Sequence, residues 1–319
     1  MHPVLRSLPP KAQELVKAIG NTPTVKVPIK GLTFFIKLEF TNPVGSHKDR
    51  AVAFMLADAF RRGILRPGDT VVEASSGNTA ASLAWLGRAS GLEVVVFVPE
   101  GTSRTKVSLI RAFGGVVKEL PGDVDIEEAA KEFAEEGGHY FLGQHENLAN
   151  PRAHREWTGP EMLNDAGCVD AFVMGIGTGG TIVGVGSLLK EVCGSIEVVG
   201  VVPEGSPVAR GEGSKCSERI EGLSCSRCPD IVVSNRSVID DVIEVGAEEA
   251  FEGVKALMRA GIPAGPSTGA VIAAATKVGK ERGWRRMATL AADHISRYPW
   301  LLEGPYLESL VSLWGQRTE

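Results

Sequence analysis

The chain has 319 residues, a length suited to two α/β units rather than one small domain, and 43% of them are hydrophobic, enough for a sizeable core. Its net charge of −5 argues against nucleic acid or an anionic membrane as the main partner, while leaving room for a locally positive pocket. No apolar run reaches the ~18 residues of a membrane span. The N-terminal residues lack a signal-peptide pattern, and five cysteines, an odd number, fit a reducing compartment without a disulfide framework. A cytoplasmic protein is expected. Along the chain, the spacing predicts a short helix over Lys11–Ile19, a strand-like run at Phe34–Phe40, and a helix over Asp49–Arg62 with Val52, Phe54, Met55, Leu56 and Phe60 as its apolar residues. Helices follow at Thr79–Ser90, Arg104–Phe113 and Ile126–Glu136, around a short apolar run at Val94–Val98. Further runs at Ala171–Met174 and Val198–Val202 flank a helix over Thr181–Lys190, and helices over Ala247–Ala260 and Gly269–Arg282 come after them. Apolar runs this short, bounded by Gly and Pro, read as buried strands, and strands alternating with helices mean parallel sheets covered on both faces. The predicted class is α/β, and irregular polar segments near Asn42 and Asn147–Pro151 mark the expected division between domains.

Three polar, glycine- or serine-rich turns stand where strands feed helices. The first, Thr41-Asn42-Pro43-Val44-Gly45-Ser46-His47-Lys48-Asp49-Arg50, places Lys48 in the first turn of a helix. The positive end of the helix disfavours an ammonium there, and a neutral amine is what Schiff-base chemistry needs. Taken alone, Lys48 is as readily an exposed loop lysine. The second turn, Glu73-Ala74-Ser75-Ser76-Gly77-Asn78-Thr79-Ala80, offers several N–H and O–H donors to one anion, or is an ordinary helix cap. The third, Gly175-Ile176-Gly177-Thr178-Gly179-Gly180-Thr181, lets backbone N–H groups approach a phosphate at a helix start. It also satisfies the dinucleotide pattern through Gly175, Gly177 and Gly180, with Glu204 after the next strand in place of a ribose-binding acid. A nicotinamide-dependent oxidoreductase is therefore the rival reading, but it leaves the first two turns without a task.

These turns, with Gly265-Pro266-Ser267-Thr268-Gly269-Ala270 after them, occur in the order found in the fold-type II pyridoxal-phosphate enzymes. The chain most closely resembles the cysteine synthase and cystathionine β-synthase branch of that family. Ile19-Gly20-Asn21-Thr22-Pro23, Gln144-His145-Glu146-Asn147-Leu148-Ala149-Asn150-Pro151 and Thr158-Gly159-Pro160-Glu161 extend the resemblance over nearly the whole chain. The resemblance implies two domains, each an open, twisted, mostly parallel sheet flanked by helices. The smaller, mobile domain spans residues 43–147, and the larger is formed by 1–42 and 148–319. It implies a homodimer, with an amino-acid substrate, a sulfur donor and no nucleic-acid or membrane partner. Lys48 is expected to hold pyridoxal 5′-phosphate as a Schiff base and to act as general base. Gly177, Thr178, Gly179, Gly180 and Thr181 should hold the cofactor phosphate. Asn78 should bond the ring 3′-oxygen, and Ser267 should face the ring nitrogen. A neutral hydroxyl at that nitrogen favours β-elimination over long-lived carbanions. Ser75, Ser76, Gly77 and Thr79, with Gln144, should hold the substrate carboxylate. The implied reaction is loss of a β-substituent from an activated serine, O-acetylserine or O-phosphoserine, through an α-aminoacrylate to which a sulfur nucleophile adds, giving L-cysteine.

Several positions depart from the cysteine synthase pattern. His47 precedes the lysine where an apolar or small residue is usual. It is similar to the histidine of tryptophan synthase β chains near the cofactor phosphate, and an exposed or capping histidine fits as well. The expected closing loop reads Glu221-Gly222-Leu223-Ser224-Cys225-Ser226-Arg227-Cys228-Pro229, and Arg219 and Arg227 flank part of it as candidate phosphate-ester contacts. Acetate, phosphate or water as leaving group all stay open, as do cystathionine-synthase, threonine-synthase-like and dehydratase or desulfhydrase activities. No metal site is expected. Cys225-x-x-Cys228, with Cys216 upstream, reads as a redox pair, a zinc fragment lacking a fourth ligand, or incidental cysteines. Cys168 and Cys193 read as packing residues.

Overall fold

The computed structural model describes residues 2–315. Its strands are β1 (Thr24–Ile29), β2 (Leu32–Leu38), β3 (Thr70–Ala74), β4 (Glu93–Pro99), β5 (Val116–Leu120), β6 (Tyr140–Phe141), β7 (Ala171–Gly175), β8 (Glu197–Pro203), β9 (Asp241–Val245) and β10 (Arg286–Ala291). They form a six-stranded sheet in the order β1-β2-β10-β7-β8-β9 and a four-stranded sheet in the order β5-β4-β3-β6. Every pairing is parallel except β1 with β2. That exception has a local cause. Lys30 and Gly31 both take positive φ, 50° and 83°, the backbone of a two-residue hairpin turn, and Ile29 pairs with Leu32 across it.

Parallel neighbours need crossover helices. Asn78–Ala89, Arg104–Ala112 and Ile126–Glu136 supply them in the smaller sheet, and Gly180–Cys193 joins β7 to β8 in the larger. Each starts within two residues of its expected place. The helix Ile126–Glu136 is capped as its sequence directs, with the Asp125 carboxylate accepting from the N–H groups of Glu127 and Glu128. The helix expected over Gly269–Arg282 instead runs from Pro266 to Val278, because Pro266 suits the first helical turn. The helix Lys48–Arg61 buries Ala51 through Ala57 without interruption and packs with Val71, Ala80, Leu83, Val94 and Val96 of the four-stranded sheet and its helix.

The strand orders fix where a ligand can bind. In the smaller sheet β3 leads to β4 on one side and has β6 on the other, and in the larger β7 leads to β8 with β10 on its other side. Connections leave such strands in opposite directions and open a crevice at their carboxyl ends. The loops after β3 and β7 are the second and third turns singled out above.

The cysteines do not follow the sequence reading. Cys168 and Cys193 are disulfide-bonded, with Cα atoms 5.6 Å apart, rather than being packing residues. Cys216 bonds Cys225, also with close Cα atoms at 5.5 Å, so Cys225 and Cys228 are not a pair, and Cys228 is the free cysteine. The reason for the first bond is topological. A helix that crosses back over its sheet returns to the start of the strand it left, which brings the end of Gly180–Cys193 beside the residues before β7. The reason for the second is that the 204–229 segment doubles back on itself. Glu204 O accepts from Ser217 N, and Ser224 O accepts from Ser206 Oγ, while Ser224 N bonds Ile176 O of the loop after β7.

Candidate active site

Four segments converge on one cleft. It is lined by His47 and Lys48, by Gly175, Gly177, Thr178, Gly179 and Thr181 at the end of β7 and in the loop after it, by Gly222 and Leu223, and by Ser267 and Thr268. Lys48 is the first residue of its helix, and its Nζ donates to Thr178 Oγ1 at 3.2 Å. Residues 130 positions apart thus meet at the amine. Burial pushes the Lys48 ammonium down to about 8, opposed by the negative charge of Glu73. The expected lowering is present, but its cause is loss of solvent rather than the helix end.

The loop after β7 is shaped by close approach. Gly179 has φ of 83°, and a Cβ there would lie 2.3 Å from Val232 Cγ2; a Cβ on Gly180 would lie 2.0 Å from Asn150 Oδ1. Among the described residues the N–H groups of Gly177, Thr178 and Gly179 bond no other group of the chain. Free N–H groups at the start of a 14-residue helix, with the hydroxyls of Thr178 and Thr181 beside them, are a phosphate cradle, so this site fits pyridoxal phosphate. Asn150 supports it from behind, Nδ2 donating to Thr178 Oγ1 at 3.0 Å and to Gln144 O at 2.8 Å.

His47 and His154 stand next to this cradle with ring centroids 5.9 Å apart. His47 Nδ1 lies 3.3 Å from the Ala292 carbonyl and therefore donates to it. Burial, and then the charge of Lys48, take His47 down to about 3. His154, fully buried, contacts Thr158 Oγ1 through Nδ1 at 3.0 Å and Thr181 Oγ1 through Nε2 at 3.3 Å, and burial lowers it well below the usual imidazole value. Burial keeps both rings neutral; His47 is half-buried and stands at the N-cap position of the Lys48 helix, but its side chain makes no capping hydrogen bond.

The loop after β3 lies at the start of the helix Asn78–Ala89. Thr79 Oγ1 donates to Gln144 Oε1 at 2.6 Å, which joins two of the expected carboxylate contacts directly. Gln144 is held in turn by Glu73, whose carboxyl faces the Gln144 N–H at 3.2 Å. Burial pushes Glu73 up to about 8. Ser75, Ser76, Gly77 and Asn78 are half-buried. Asn78 Nδ2 donates to Asp293 Oδ2 at 2.7 Å. Ser267 lies across the cleft, with the Gly222 Cα region packed against its side chain.

The loop holding Gly222 and Leu223 is tied at both ends. Glu221 pairs with Lys106 from the smaller sheet's helix Arg104–Ala112 and accepts from Trp300 Nε1 at 3.0 Å. The two arginines expected to flank it differ. Arg227 Nη2 is paired with Glu127 Oε1 at 2.6 Å, while Arg219 is exposed and has no ion pair among the described residues. Neither lines the cleft.

Of the residues singled out in the sequence, the structure brings Lys48, Gly177, Thr178, Gly179, Thr181 and Ser267 to one cleft. Sequence reasoning assigned no role to Asn150, His154, Glu73, Asp293 or Leu223. Asp293 was detectable in principle, because a polar residue just past a strand's carboxyl end is where an open parallel sheet places ligand contacts.

Comparison with known proteins agrees with this geometry. Residues 15–293 match the family model described as pyridoxal-phosphate dependent enzyme. The cysteine synthase of Staphylococcus aureus (strain Mu50 / ATCC 700699) is 38% identical over 295 residues, covering 89% of this chain and 94% of that protein. Among solved structures, O-ureido-L-serine synthase superposes with a TM-score of 0.84 at 32% identity, over 92% of this chain and 94% of the other. The O-acetylserine dependent cystathionine beta-synthase from Helicobacter pylori gives 0.83 at 32% identity, over 92% and 98%. A lysine at the foot of a glycine-lined phosphate cradle, at the switch points of two parallel sheets, and a family match across nearly the whole chain lead to one conclusion: this chain belongs to the pyridoxal-phosphate-dependent enzymes of the cysteine synthase type.

Proposed function

We propose that the protein makes L-cysteine by replacing the β-acetoxy group of O-acetylserine with sulfide. The observation that carries this reading is the meeting of Lys48 Nζ and Thr178 Oγ1 in the same cleft as Ser267. When bound, pyridoxal phosphate supplies an electron sink that lets the α-proton and the β-substituent of an amino acid leave. Lys48 is the attachment residue, and its amine, pushed down to about 8, can take the α-proton near neutral pH. The phosphate rests on Gly177, Thr178, Gly179, Gly180 and Thr181, Ser267 faces the ring nitrogen, and Asn78 faces the ring oxygen. Ser75, Ser76, Gly77, Thr79 and Gln144 take the substrate carboxylate, Thr79 and Gln144 already being aligned by their hydrogen bond.

The acetyl ester is favoured over the phosphate ester because Arg227 is already neutralised by Glu127, which leaves Arg219 as the one unpaired candidate for a dianion. The dependence of the Helicobacter pylori neighbour on O-acetylserine supports the same donor. Residues 43–147 form the mobile substrate-side domain, and the enzyme works as a homodimer. The exposed Trp300, Tyr306, Val311 and Trp314 near the C-terminus support such an association, which light scattering at micromolar concentration tests.

The donor is tested by specificity constants for O-acetylserine, O-phosphoserine and serine with sulfide, in wild type and Arg219→Ala. O-acetylserine should lead, and Arg219→Ala should leave its constant within about twofold. A leading O-phosphoserine constant that falls about tenfold or more in Arg219→Ala replaces the acetyl reading with the phosphate one.

A further inference from the structure

A buried carboxyl beside the cleft has no task in the reaction. Asp293 follows β10 after a single intervening residue and is 2% exposed. Its backbone bridges Ser46, two residues before Lys48, and its carbonyl accepts from Gly265 N–H at 3.1 Å. Its Oδ2 takes two hydrogen bonds, from Asn78 Nδ2 at 2.7 Å and from the Tyr298 hydroxyl at 2.6 Å. Its Oδ1 is buried with no partner among the described residues. Asn78 comes from the smaller sheet's helix, and Asp293 and Tyr298 from the end of the larger sheet, so this contact crosses between the two.

An asparagine amide has a donor end and an acceptor end of nearly equal shape, and its partners decide which end points where. An oxygen on the cofactor ring is an acceptor and needs an N–H. Oδ2 of Asp293 already receives two donors, so a proton on this carboxyl has to sit on Oδ1. In either protonation state Oδ2 accepts only the NH₂ end of Asn78, and the second N–H of that group remains for the cleft. A flipped amide would set two oxygens against each other in a buried place. We propose that Asp293, anchored by Tyr298, is a positioning residue that fixes the amide orientation of Asn78 so that a donor faces the cofactor ring. The inference rests on the assignment of Asn78 to the ring oxygen made above. Burial raises the Asp293 pKa against the hydrogen bonds from Tyr298 and Asn78, which suits a carboxyl kept for its acceptor geometry rather than its charge.

The test titrates cofactor-free protein with pyridoxal phosphate and reads the dissociation constant and the visible absorbance maximum. The variants are Asn78→Ala, Asp293→Ala, Asp293→Asn, Tyr298→Phe and the double Asn78→Ala/Asp293→Ala. Asp293→Ala should weaken binding about tenfold and shift the maximum in the same direction as Asn78→Ala. Asp293→Asn keeps an acceptor oxygen and should stay within about threefold of wild type. The double variant should bind no more weakly than Asn78→Ala, because the two residues act through one contact. If Asn78→Ala changes neither quantity, Asn78 does not touch the ring, and the site assignment fails together with the inference. If Asn78→Ala has its effect and Asp293→Ala has none, or the two losses multiply, the site assignment stands and the inference is overturned. If Asp293→Ala does not fold, Asp293→Asn and Tyr298→Phe decide: a loss in Asp293→Asn as large as that of Asn78→Ala overturns the inference, and retention with a partial loss in Tyr298→Phe supports it.

Discussion

Replacing Arg50 by methionine removes the cation that anchors the Lys48 helix. Arg50 is fully buried and donates five hydrogen bonds: from Nε to Glu39, from Nη1 to Glu161, and from Nη2 to Glu39, Glu161 and Thr22. Its guanidinium also lies over the Trp157 ring at 5.2 Å. Glu39 is fully buried as well. Burial pushes the Glu39 pKa up, but the charge and hydrogen bonds of Arg50 outweigh it and hold the group below its ordinary value. Methionine matches much of the volume but leaves Glu39 charged and without its cation. Breaking a buried pair in this way costs about 3–5 kcal/mol. The assay is urea unfolding of cofactor-free wild type, Arg50→Met, Glu39→Gln and the double variant. The double variant should recover part of the loss, because it removes the stranded charge. The pH dependence has opposite signs in the two proteins. In wild type the depressed Glu39 contributes stability above its unfolded value of 4.5 and loses it as pH falls through the lower folded value. In Arg50→Met burial alone acts, the folded pKa rises, and the deficit should shrink as pH falls toward 4.5. A loss below about 1 kcal/mol, or a deficit independent of pH, refutes the reasoning.

Attachment of pyridoxal phosphate to the cofactor-free protein should speed up with pH and level off above about 8, followed by absorbance; a half-rise near the ordinary lysine value of 10.5 shows that Lys48 is not shifted. Lys48→Ala should keep the fold by circular dichroism and lose covalent attachment after borohydride reduction, and cofactor trapped on another lysine contradicts the assignment. Cys216→Ser opens a loop closed at a sequence separation of 9, a constraint of order 2–3 kcal/mol, and frees the segment that carries Gly222 and Leu223. Tryptic cleavage after Arg219 should accelerate, and the donor KM should rise more than kcat falls; unchanged cleavage and KM mean that the contacts of Glu221, Ser224 and Arg227 hold the loop without the disulfide.

Much of the fold was legible because local patterns and global topology agree. The run Val94–Val98 and the runs at 171–174 and 198–202 are the buried centres of β4, β7 and β8, and uninterrupted apolar residues bounded by Gly and Pro mark strands covered on both faces. Other strands left no such trace. β9 reads Asp241-Val242-Ile243-Glu244-Val245, an edge strand half-exposed up to the buried Val245, and β10 begins at Arg286 in what looks like a basic, solvated stretch. Its next five residues are buried in the middle of the larger sheet, but Met287-Ala288-Thr289-Leu290-Ala291 carries little β-branched character.

The sequence by itself determined the family and its cofactor. A lysine at a helix start, a serine-rich turn and a glycine-rich turn each follow from local backbone demands, and their order along the chain names the family. Tertiary structure decided which groups meet. The Lys48–Thr178, Thr79–Gln144 and Asn78–Asp293 contacts span 130, 65 and 215 residues, and no local periodicity encodes such distances. The cysteine pairings depend likewise on how a crossover helix returns to its strand and how a loop doubles back. The electrostatics were settled at the same level. Lys48, Glu73, His47 and Asp293 owe their shifts first to removal from water, which is a property of everything packed around a side chain and not of its neighbours in sequence.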